Sequence, residues 1–258
     1  MSRIKNAFNG KKAFIGFITA GDPGLDETEE FVLEMERAGA SLIELGIPFS
    51  DPVAEGAVIQ DANVRALSAG CTTDKIFEMV RRLRTKTQIP LVFLAYANTL
   101  YKYGYERFCD RCSETGIDGF IIPDMPFEEK NELSGIAEKH GIDIISLVSP
   151  ASGDRIQMIA KEAEGFIYLV SSMGVTGTRD EIKTDIKAIT NKIREVTDVP
   201  VAVGFGINTK EQAAQYIQEA DGIIIGSAIV KIVEKYGDKA GKHIYNYISG
   251  ITEAAGIC

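Results

Sequence analysis

Residues 200–226 read PVAVGFGINTKEQAAQYIQEADGIIIG, and this stretch decides the fold. Two short apolar runs, 200–204 and 222–226, flank a segment with helical periodicity that opens at Asn208, with Glu211 three residues later. The pattern predicts a buried strand, an amphipathic helix with a capping box at its start, and a second buried strand. Two strands joined by a helix lie parallel in one sheet, so the stretch indicates a βαβ unit.

The same alternation continues along the whole chain. A second helical segment opens at Asp74, and residues 1–8 are also helical in pattern. Eight such units in 258 residues predict an α/β fold, a (β/α)8 TIM barrel with an extra N-terminal helix, and a single domain over residues 1–258. A doubly wound open sheet is the structural alternative. The apolar runs, each followed by a helical segment, are 13–19, 41–45, 90–95, 119–123, 142–148, 166–170, 200–204 and 222–226.

Two connections are longer than one helix requires. The first lies between the second and third runs, and the second includes the Gly-, Ser- and Thr-rich residues 171–178. In a barrel such additions lie on the carboxyl-terminal face, where active sites form, so both segments are predicted lids.

Composition excludes several classes of function. A net charge of −9 repels phosphodiester backbones and anionic membrane surfaces, so we expect no nucleic-acid partner and no membrane association. The N-terminus lacks a secretory signal and no run is long enough to span a bilayer, so we expect a cytoplasmic protein.

The cysteines give no clear chemistry. Cys109 and Cys112 form a single CxxC pair within a helical stretch, and the chain has only two histidines. We interpret the pair as helix packing and predict no metal site.

Glycines gather where the last two strands end. Gly204 and Gly206 would let backbone amides approach an anion, and Gly226 and Ser227 would open a short helix pointing at the same spot. Loops after strands seven and eight often bind phosphate in this fold, although the glycines could also serve tight turns alone. We predict a phosphate site there.

Glu44 interrupts an otherwise apolar strand. Alternation places it on one face with Leu42, and a buried carboxylate there has no basic residue in the predicted strands to pair with. Desolvation should raise its pKa toward that of a general acid. The loop after it carries Asp51 and Glu55, held by two prolines, and these could bring a carboxylate to the barrel mouth.

Residues 42–60, LIELGIPFSDPVAEGAVIQ, closely resemble the signature of the tryptophan synthase α subunit family. Further matches follow in family order: 16–23 (GFITAGDP), 119–126 (GFIIPDMP), 168–177 (YLVSSMGVTG) and the two phosphate loops. The resemblance covers nearly the whole chain. It implies a lyase that splits indole-3-glycerol phosphate into indole and glyceraldehyde 3-phosphate.

The resemblance also implies roles for particular residues. Glu44 would protonate the indole carbon that bears the glycerol chain, and a second acid would act near the indole N–H. The family usually has Asp at that second position, whereas this chain has Glu55, followed by Ala57 in place of a frequent Pro. The lid would place Thr176 near the second acid and Gly177 in the phosphate site.

The indole requires an apolar slot, and strand ends supply its walls. We predict substrate contacts by aromatic and apolar side chains there, with Tyr168 near the catalytic acid, although each is also an ordinary core residue. The predicted set is Phe17, Tyr96, Ile121, Tyr168 and Thr176 for the substrate, and Gly177, Gly204, Phe205, Gly206, Gly226 and Ser227 for the phosphate.

The family partner is a β subunit that binds pyridoxal phosphate and receives indole within an α2β2 heterotetramer, so the α chain itself needs no cofactor. Asp51, Pro52 and residues 98–101 are the predicted docking surface, with Thr99 where the family often has Pro.

Two other functions fit the residues. Another phosphate-binding barrel enzyme would share the anion site, but a Schiff-base aldolase would need a strand lysine, which is absent here. A weakly active regulatory subunit would carry Glu55 as a sign of relaxed catalysis.

Overall fold

One parallel sheet organises the molecule. The computed structural model describes residues 3–171, 185–204 and 206–257. The strands follow the order β5-β4-β3-β2-β1-β9-β8-β7-β6, and each paired neighbour is parallel. Their bounds are β1 (Ala13–Thr19), β2 (Leu42–Gly46), β3 (Leu91–Leu94), β4 (Gly119–Ile121), β5 (Asp143–Ile144), β6 (Ser146–Val148), β7 (Ile167–Val170), β8 (Val201–Gly204) and β9 (Gly222–Ile225).

The predicted fifth strand is two short strands. β5 pairs only with β4 and β6 pairs only with β7 in the described sheet, and Ile145 alone lies between them. The backbone turns from one neighbour to the other at this residue, whose N–H donates to the carbonyl of Phe120 at 2.8 Å. The chain itself therefore joins the two edges of the sheet, which confirms the barrel and corrects the uninterrupted strand predicted over 142–148.

Helices surround the sheet, and none of those described is both long and apolar enough to cross a membrane. Short 3-10 turns occupy Phe127–Glu129, Pro150–Arg155 and Gly237–Lys239. The α-helices are α1 (Arg3–Ala7), α2 (Leu25–Arg37), α3 (Ala57–Ser68), α4 (Thr73–Leu83), α5 (Ala97–Tyr103), α6 (Tyr105–Thr115), α7 (Asn131–Lys139), α8 (Ile156–Lys161), α9 (Ile186–Arg194), α10 (Lys210–Tyr216), α11 (Ser227–Tyr236) and α12 (Gly241–Ala255).

Two predicted helix starts are displaced. The long connection after β2 holds both α3 and α4, and the cap of α4 is Thr72, whose side chain accepts from the N–H of Lys75, rather than Asp74. The capping box of α10 is Thr209 with Gln212, one residue beyond the predicted pair. Threonine is a common cap, although a somewhat weaker one than Asp or Asn, so the sequence near each start allowed either position.

Alternation along the strands produces two cores. Ile43 and Leu45 pack outward against the helices, whereas Leu42 packs inward. The inner core fills the barrel with buried side chains, among them Ala13, Ile15, Leu42, Val92, Ile121, Tyr168, Ala202 and Ile224.

The amino-terminal end of the barrel is sealed by α1. Ile4, Ala7 and Phe8 belong to the inner core, and the ring of Phe8 lies 5.7 Å from that of Phe166. Next to them, Asp118 is buried and accepts from Arg3 at 2.6 Å and Arg84 at 3.1 Å. This floor is fixed by apolar packing and paired charge.

Candidate active site

A cavity of about 280 Å³ opens at the opposite end, where the strands terminate. Glu44 and Glu55 share it with Gly206, Gly226 and Ser227, so the predicted acids and the predicted anion site face one space. The full described lining is Phe17, Glu44, Ala54, Glu55, Ile59, Leu94, Ile121, Pro123, Leu147, Val148, Ser149, Tyr168, Val170, Gly206, Ile207, Ile224, Gly226 and Ser227.

Glu44 points into the barrel from β2. It lies beside Phe17 of β1 in the parallel register, and the residue is 1% exposed. Burial raises its pKa to about 8 because the charged form has lost its hydration. Its Oε1 has no hydrogen-bond partner among the described residues. At neutral pH the side chain is a protonated acid with an oxygen available to a ligand.

Glu55 reaches the same cavity from the loop before α3. It is 6% exposed, and Asn63 Nδ2 donates to its Oε2 at 2.7 Å. Burial raises its pKa to about 7, while hydrogen bonds from Asn63 and Tyr96 act in the opposite direction because they favour the carboxylate. Near neutral pH this second acid can therefore supply a carboxylate more readily than Glu44 can.

Tyr96, predicted as a wall of the apolar slot, bonds to the loop that carries Glu55. Its hydroxyl accepts from the N–H of Ala54 at 3.1 Å, and its ring stacks on Phe49 with 5.0 Å between centroids. These contacts turn it toward the loop, so it is absent from the described lining and instead holds the segment that carries Glu55.

Tyr168 lines the cavity near Glu44. Burial, and the negative charge of Glu44, raise the pKa of its hydroxyl well above the usual value, so the group stays protonated. Gly204 lies against this hydroxyl, since a Cβ there would come 2.7 Å from Tyr168 Oη. Gly204 thus leaves room for the tyrosine, and it is not among the described lining residues of the cavity.

The anion end of the cavity combines two strand termini. Gly206 has φ 97°, a conformation that favours glycine, and Gly226 precedes the first turn of α11, which starts at Ser227. The described lining contains no lysine or arginine. Anion binding here would use backbone N–H groups, the Ser227 hydroxyl and the positive end of the α11 dipole.

Three predicted residues lie outside the described part of the chain: Thr176, Gly177 and Phe205. The same holds for residues 172–178 of the second predicted lid.

Sequence reasoning missed Asn63 and several apolar walls. Asn63 is buried among the core-facing positions of α3, and a polar residue on such a face is a signal that could have been read. Leu94 lies two residues beyond the interior Val92, so alternation predicts its direction. The other missed walls are Ala54, Ile59, Pro123, Leu147, Val148, Ser149, Val170, Ile207 and Ile224.

The site thus has three chemical parts. Glu44, with the higher pKa, and Glu55, with the lower one, line a mainly apolar space together with Gly206, Gly226 and Ser227. This arrangement suits a flat apolar ligand with an anionic tail that is protonated on one atom while positive charge develops at another.

Known proteins with the same architecture are similar over nearly the whole chain. The family model described as tryptophan synthase alpha chain matches residues 4–254. The tryptophan synthase alpha chain of Lacticaseibacillus casei is 48% identical, covering 98% of this chain and 96% of its own length. That of Geobacter sulfurreducens is 44% identical over 99% of this chain and 100% of its own.

Solved structures give the same result. The crystal structure of the tryptophan synthase alpha chain from Legionella pneumophila superposes with a TM-score of 0.88 at 35% identity, covering 99% of this chain and 98% of that chain. A chain of the tryptophan synthase α2β2 complex from Pyrococcus furiosus superposes with a TM-score of 0.87 at 34% identity, covering 94% and 99%.

Proposed function

The chain belongs to the tryptophan synthase alpha chain family, and we propose that Glu44 and Glu55 are the two acids with which it cleaves indole-3-glycerol phosphate. The family is a lyase that releases indole and glyceraldehyde 3-phosphate and needs no cofactor, since pyridoxal phosphate belongs to the β chain. The proposal concerns how this chain's residues share the reaction.

Glu44 delivers the proton that starts cleavage. Its carboxyl protonates the indole carbon bearing the glycerol chain, which gives a cationic indolenine. The resulting carboxylate then takes the proton of the adjacent glycerol hydroxyl as the carbon–carbon bond breaks. The bonding electrons return to the ring to form indole, the hydroxyl carbon becomes the aldehyde, and Glu44 ends protonated as it began.

Glu55 stabilises the intermediate charge. A carboxylate near the ring N–H lowers the energy of the indolenine cation, and this role requires the ionised form. The hydrogen bond from Asn63 supports it, because it favours the carboxylate and holds Oε2 in one place. The additional methylene relative to the aspartate usual in the family is accommodated in this buried, bonded position.

The phosphate lies at the opposite end of the cavity. We assign its binding to the backbone of Gly206 and Gly226 and to Ser227, with the indole against Phe17 and Ile121. The buried carboxyl of Glu44, whose Oε1 has no hydrogen-bond partner among the described residues, shares one cavity with these anion-binding groups, and this observation carries the proposal.

The partner of the family's α chain is the β subunit, within an α2β2 complex. We propose that the docking surface includes Asp51 and Pro52, with Asn98 and Tyr101 of α5. Tyr101 is 74% exposed, and Val53, next to Pro52 in the loop after β2, is 71% exposed. Large apolar side chains exposed in both segments support a surface that a partner protein covers. Leu100 drops out of the predicted segment because it is fully buried.

Domain organisation and location complete the proposal. One ring of strands and an outer core extending from Phe14 to Ile257 support a single domain over residues 1–258. A cytoplasmic location agrees with a doubly charged phosphorylated substrate, which does not cross a bilayer unaided. Cell fractionation with antibody detection would test the location.

Indole release is the direct test of function. The protein is incubated with indole-3-glycerol phosphate alone and with the β subunit, and both indole and glyceraldehyde 3-phosphate are measured. We expect equal amounts of the two products, with faster release in the presence of the β subunit. Absence of indole in both conditions would reject the lyase assignment, and release only with the β subunit would favour the regulatory alternative.

A further inference from the structure

We propose that Arg65 is a positioning residue for Glu55, acting through an ion pair with Asp22 that fixes α3 to the loop after β1. The inference rests on the proposed function, since it concerns the acid placed there beside the indole N–H. Arg65 lies within α3, and Asp22 lies between β1 and α2.

The ion pair has two bonds, and its acid is buried while the Arg65 side chain is 33% exposed. Arg65 Nε and Nη2 donate to the two carboxylate oxygens of Asp22 at 2.8 Å each, and the Asp22 side chain is 3% exposed. Two parallel bonds between planar groups fix orientation as well as distance. Because a buried carboxylate without its partner is costly, the pair restrains α3 far more firmly than a surface pair would.

The same loop holds α3 again near its end. Cys71, which follows the helix, packs on Gly21 so closely that a Cβ there would lie 2.6 Å from Cys71 Sγ. The thiol also donates to the carbonyl of Ala20 at 3.5 Å. The loop after β1 therefore touches α3 at two levels, and the ion pair is its polar attachment.

Arg65 also faces the helix of the anion site. Its Nη1 lies 4.0 Å from Glu234 of α11, the helix whose first residue is Ser227. The guanidinium of Arg65 thus connects α3 to the loop that follows β1, the strand of Phe17. It also connects α3 to α11, the helix that begins at Ser227.

The first two turns of α3 hold Glu55. Asn63 Nδ2 donates to its carboxylate at 2.7 Å, and Gln60 Nε2 donates to its backbone carbonyl at 2.7 Å. Tyr96 also bonds the carboxylate, and Glu44 faces it within the cavity. A shift of α3 would carry Asn63 and Gln60 away from Glu55 together, so the attachment at Arg65 sets the place of the acid.

The experiment measures Glu55 directly. The carboxyl carbon of Glu55 is titrated by ¹³C NMR in the full chain, its signal assigned by its absence from Glu55→Gln. In Arg65→Met we expect a midpoint higher by about half a pH unit or more, because loss of the Asn63 bond disfavours the carboxylate. Arg65→Lys, which keeps the charge with one point of contact, should give a smaller rise.

Arg82→Met is the matched control. Arg82 also joins helices by charge, since it pairs with Glu29 and Asp26 of α2 from α4, but it lies on the outer wall away from Glu55. Its loss should leave the Glu55 midpoint and the turnover number unchanged. In Arg65→Met, kcat for indole release should fall roughly 10- to 100-fold with little change in KM, as misplacement of a reacting group does.

The outcomes separate the two proposals. An unchanged Glu55 midpoint in folded Arg65→Met, or in Arg65→Lys if the first variant does not fold, overturns the positioning role. An equal shift in Arg82→Met overturns it too, because the effect would then be general loosening. A parent protein that releases no indole overturns the proposed function, while the titration still decides the role of Arg65.

Discussion

Two buried carboxylates at opposite ends of the barrel have opposite surroundings. Asp118, at the amino-terminal floor, is 7% exposed and accepts from Arg3, Arg84 and the N–H of Leu91. Glu44, at the open end, is 1% exposed and its Oε1 has no partner among the described residues. Burial is similar in the two cases, so the partner determines whether a buried acid stabilises the fold or remains available for chemistry.

The comparison has an energetic meaning. A paired buried carboxylate is stable in its charged form, and removing either partner is costly. An unpaired one keeps its proton, which costs stability at neutral pH but supplies an acid. Burial of Glu44 therefore lowers the stability of the fold, whereas the ion pairs of Asp118 raise it.

The largest expected effect is on catalysis, at the open end of the barrel where Glu44 lies. Glu44→Gln keeps the shape of the side chain but cannot donate a proton, so we expect kcat for indole release to fall on the order of 10²–10⁴-fold. Circular dichroism should show an intact fold. A rate near that of the parent would remove Glu44 from the reaction.

The next largest effect is on stability, at the amino-terminal floor of the barrel where Asp118 lies. Asp118→Asn leaves the guanidinium of Arg84 without its counter-charge, and Arg84 is only 10% exposed. We expect the free energy of unfolding to fall by about 3 to 5 kcal/mol in denaturant titrations, with kcat per folded molecule unchanged. Asp26→Asn, at an acid 92% exposed, should cost less than about 1 kcal/mol. A loss of activity without loss of stability would contradict the division between the two ends.

A third measurement sharpens the contrast through pH. The folded-state pKa of Glu44, about 8, exceeds its unfolded value of 4.5, so the stability of the parent falls as pH rises between these values. Glu44→Gln lacks this loss. Its stability relative to the parent should therefore increase by roughly 3 kcal/mol between pH 5 and 8. A constant difference across that range would show that Glu44 titrates normally.

The smallest effect distinguishes the two acids of the open end. With Glu44 required protonated and Glu55 required ionised, kcat/KM should fall above about pH 8 and below about pH 7. Asn63→Ala removes a bond that favours the carboxylate of Glu55, so the acidic limb should move upward and the alkaline limb should stay. Movement of the alkaline limb instead would reverse the assignment.

The sequence predicted the parts of the fold that depend on periodicity. The alternation of apolar runs predicted the barrel, and parity predicted that Glu44 shares a face with Leu42 and not with Ile43. The structure shows that this shared face is the barrel interior. It could not predict the break at Ile145. An apolar run shows that a segment is buried, but not the residue at which it stops pairing with one strand and begins pairing with another. Cap positions differed for a similar reason, since Thr209 and Asn208 are both good caps.

The site was predicted where one residue acts through its own position. Glu44 and Ser227 follow from where strands end, whereas Tyr96 and Asn63 depend on contacts between distant segments. Tyr96 also lies at a strand end, yet its hydroxyl is engaged by Ala54 of another loop. Such pairings arise only when the chain is folded, and so the support around Glu55 was not visible in the residues alone.

The plug formed by Ile4 and Phe8 at the floor has a consequence for traffic through the molecule. Because side chains fill that end, the cavity opens only toward the carboxyl-terminal ends of the described strands. Substrate and both products would therefore pass through the same opening. A neutral product leaving by that doorway emerges on the side where Tyr101 is exposed. A partner protein bound on that side would therefore receive the indole, because the other end of the barrel is closed by side chains.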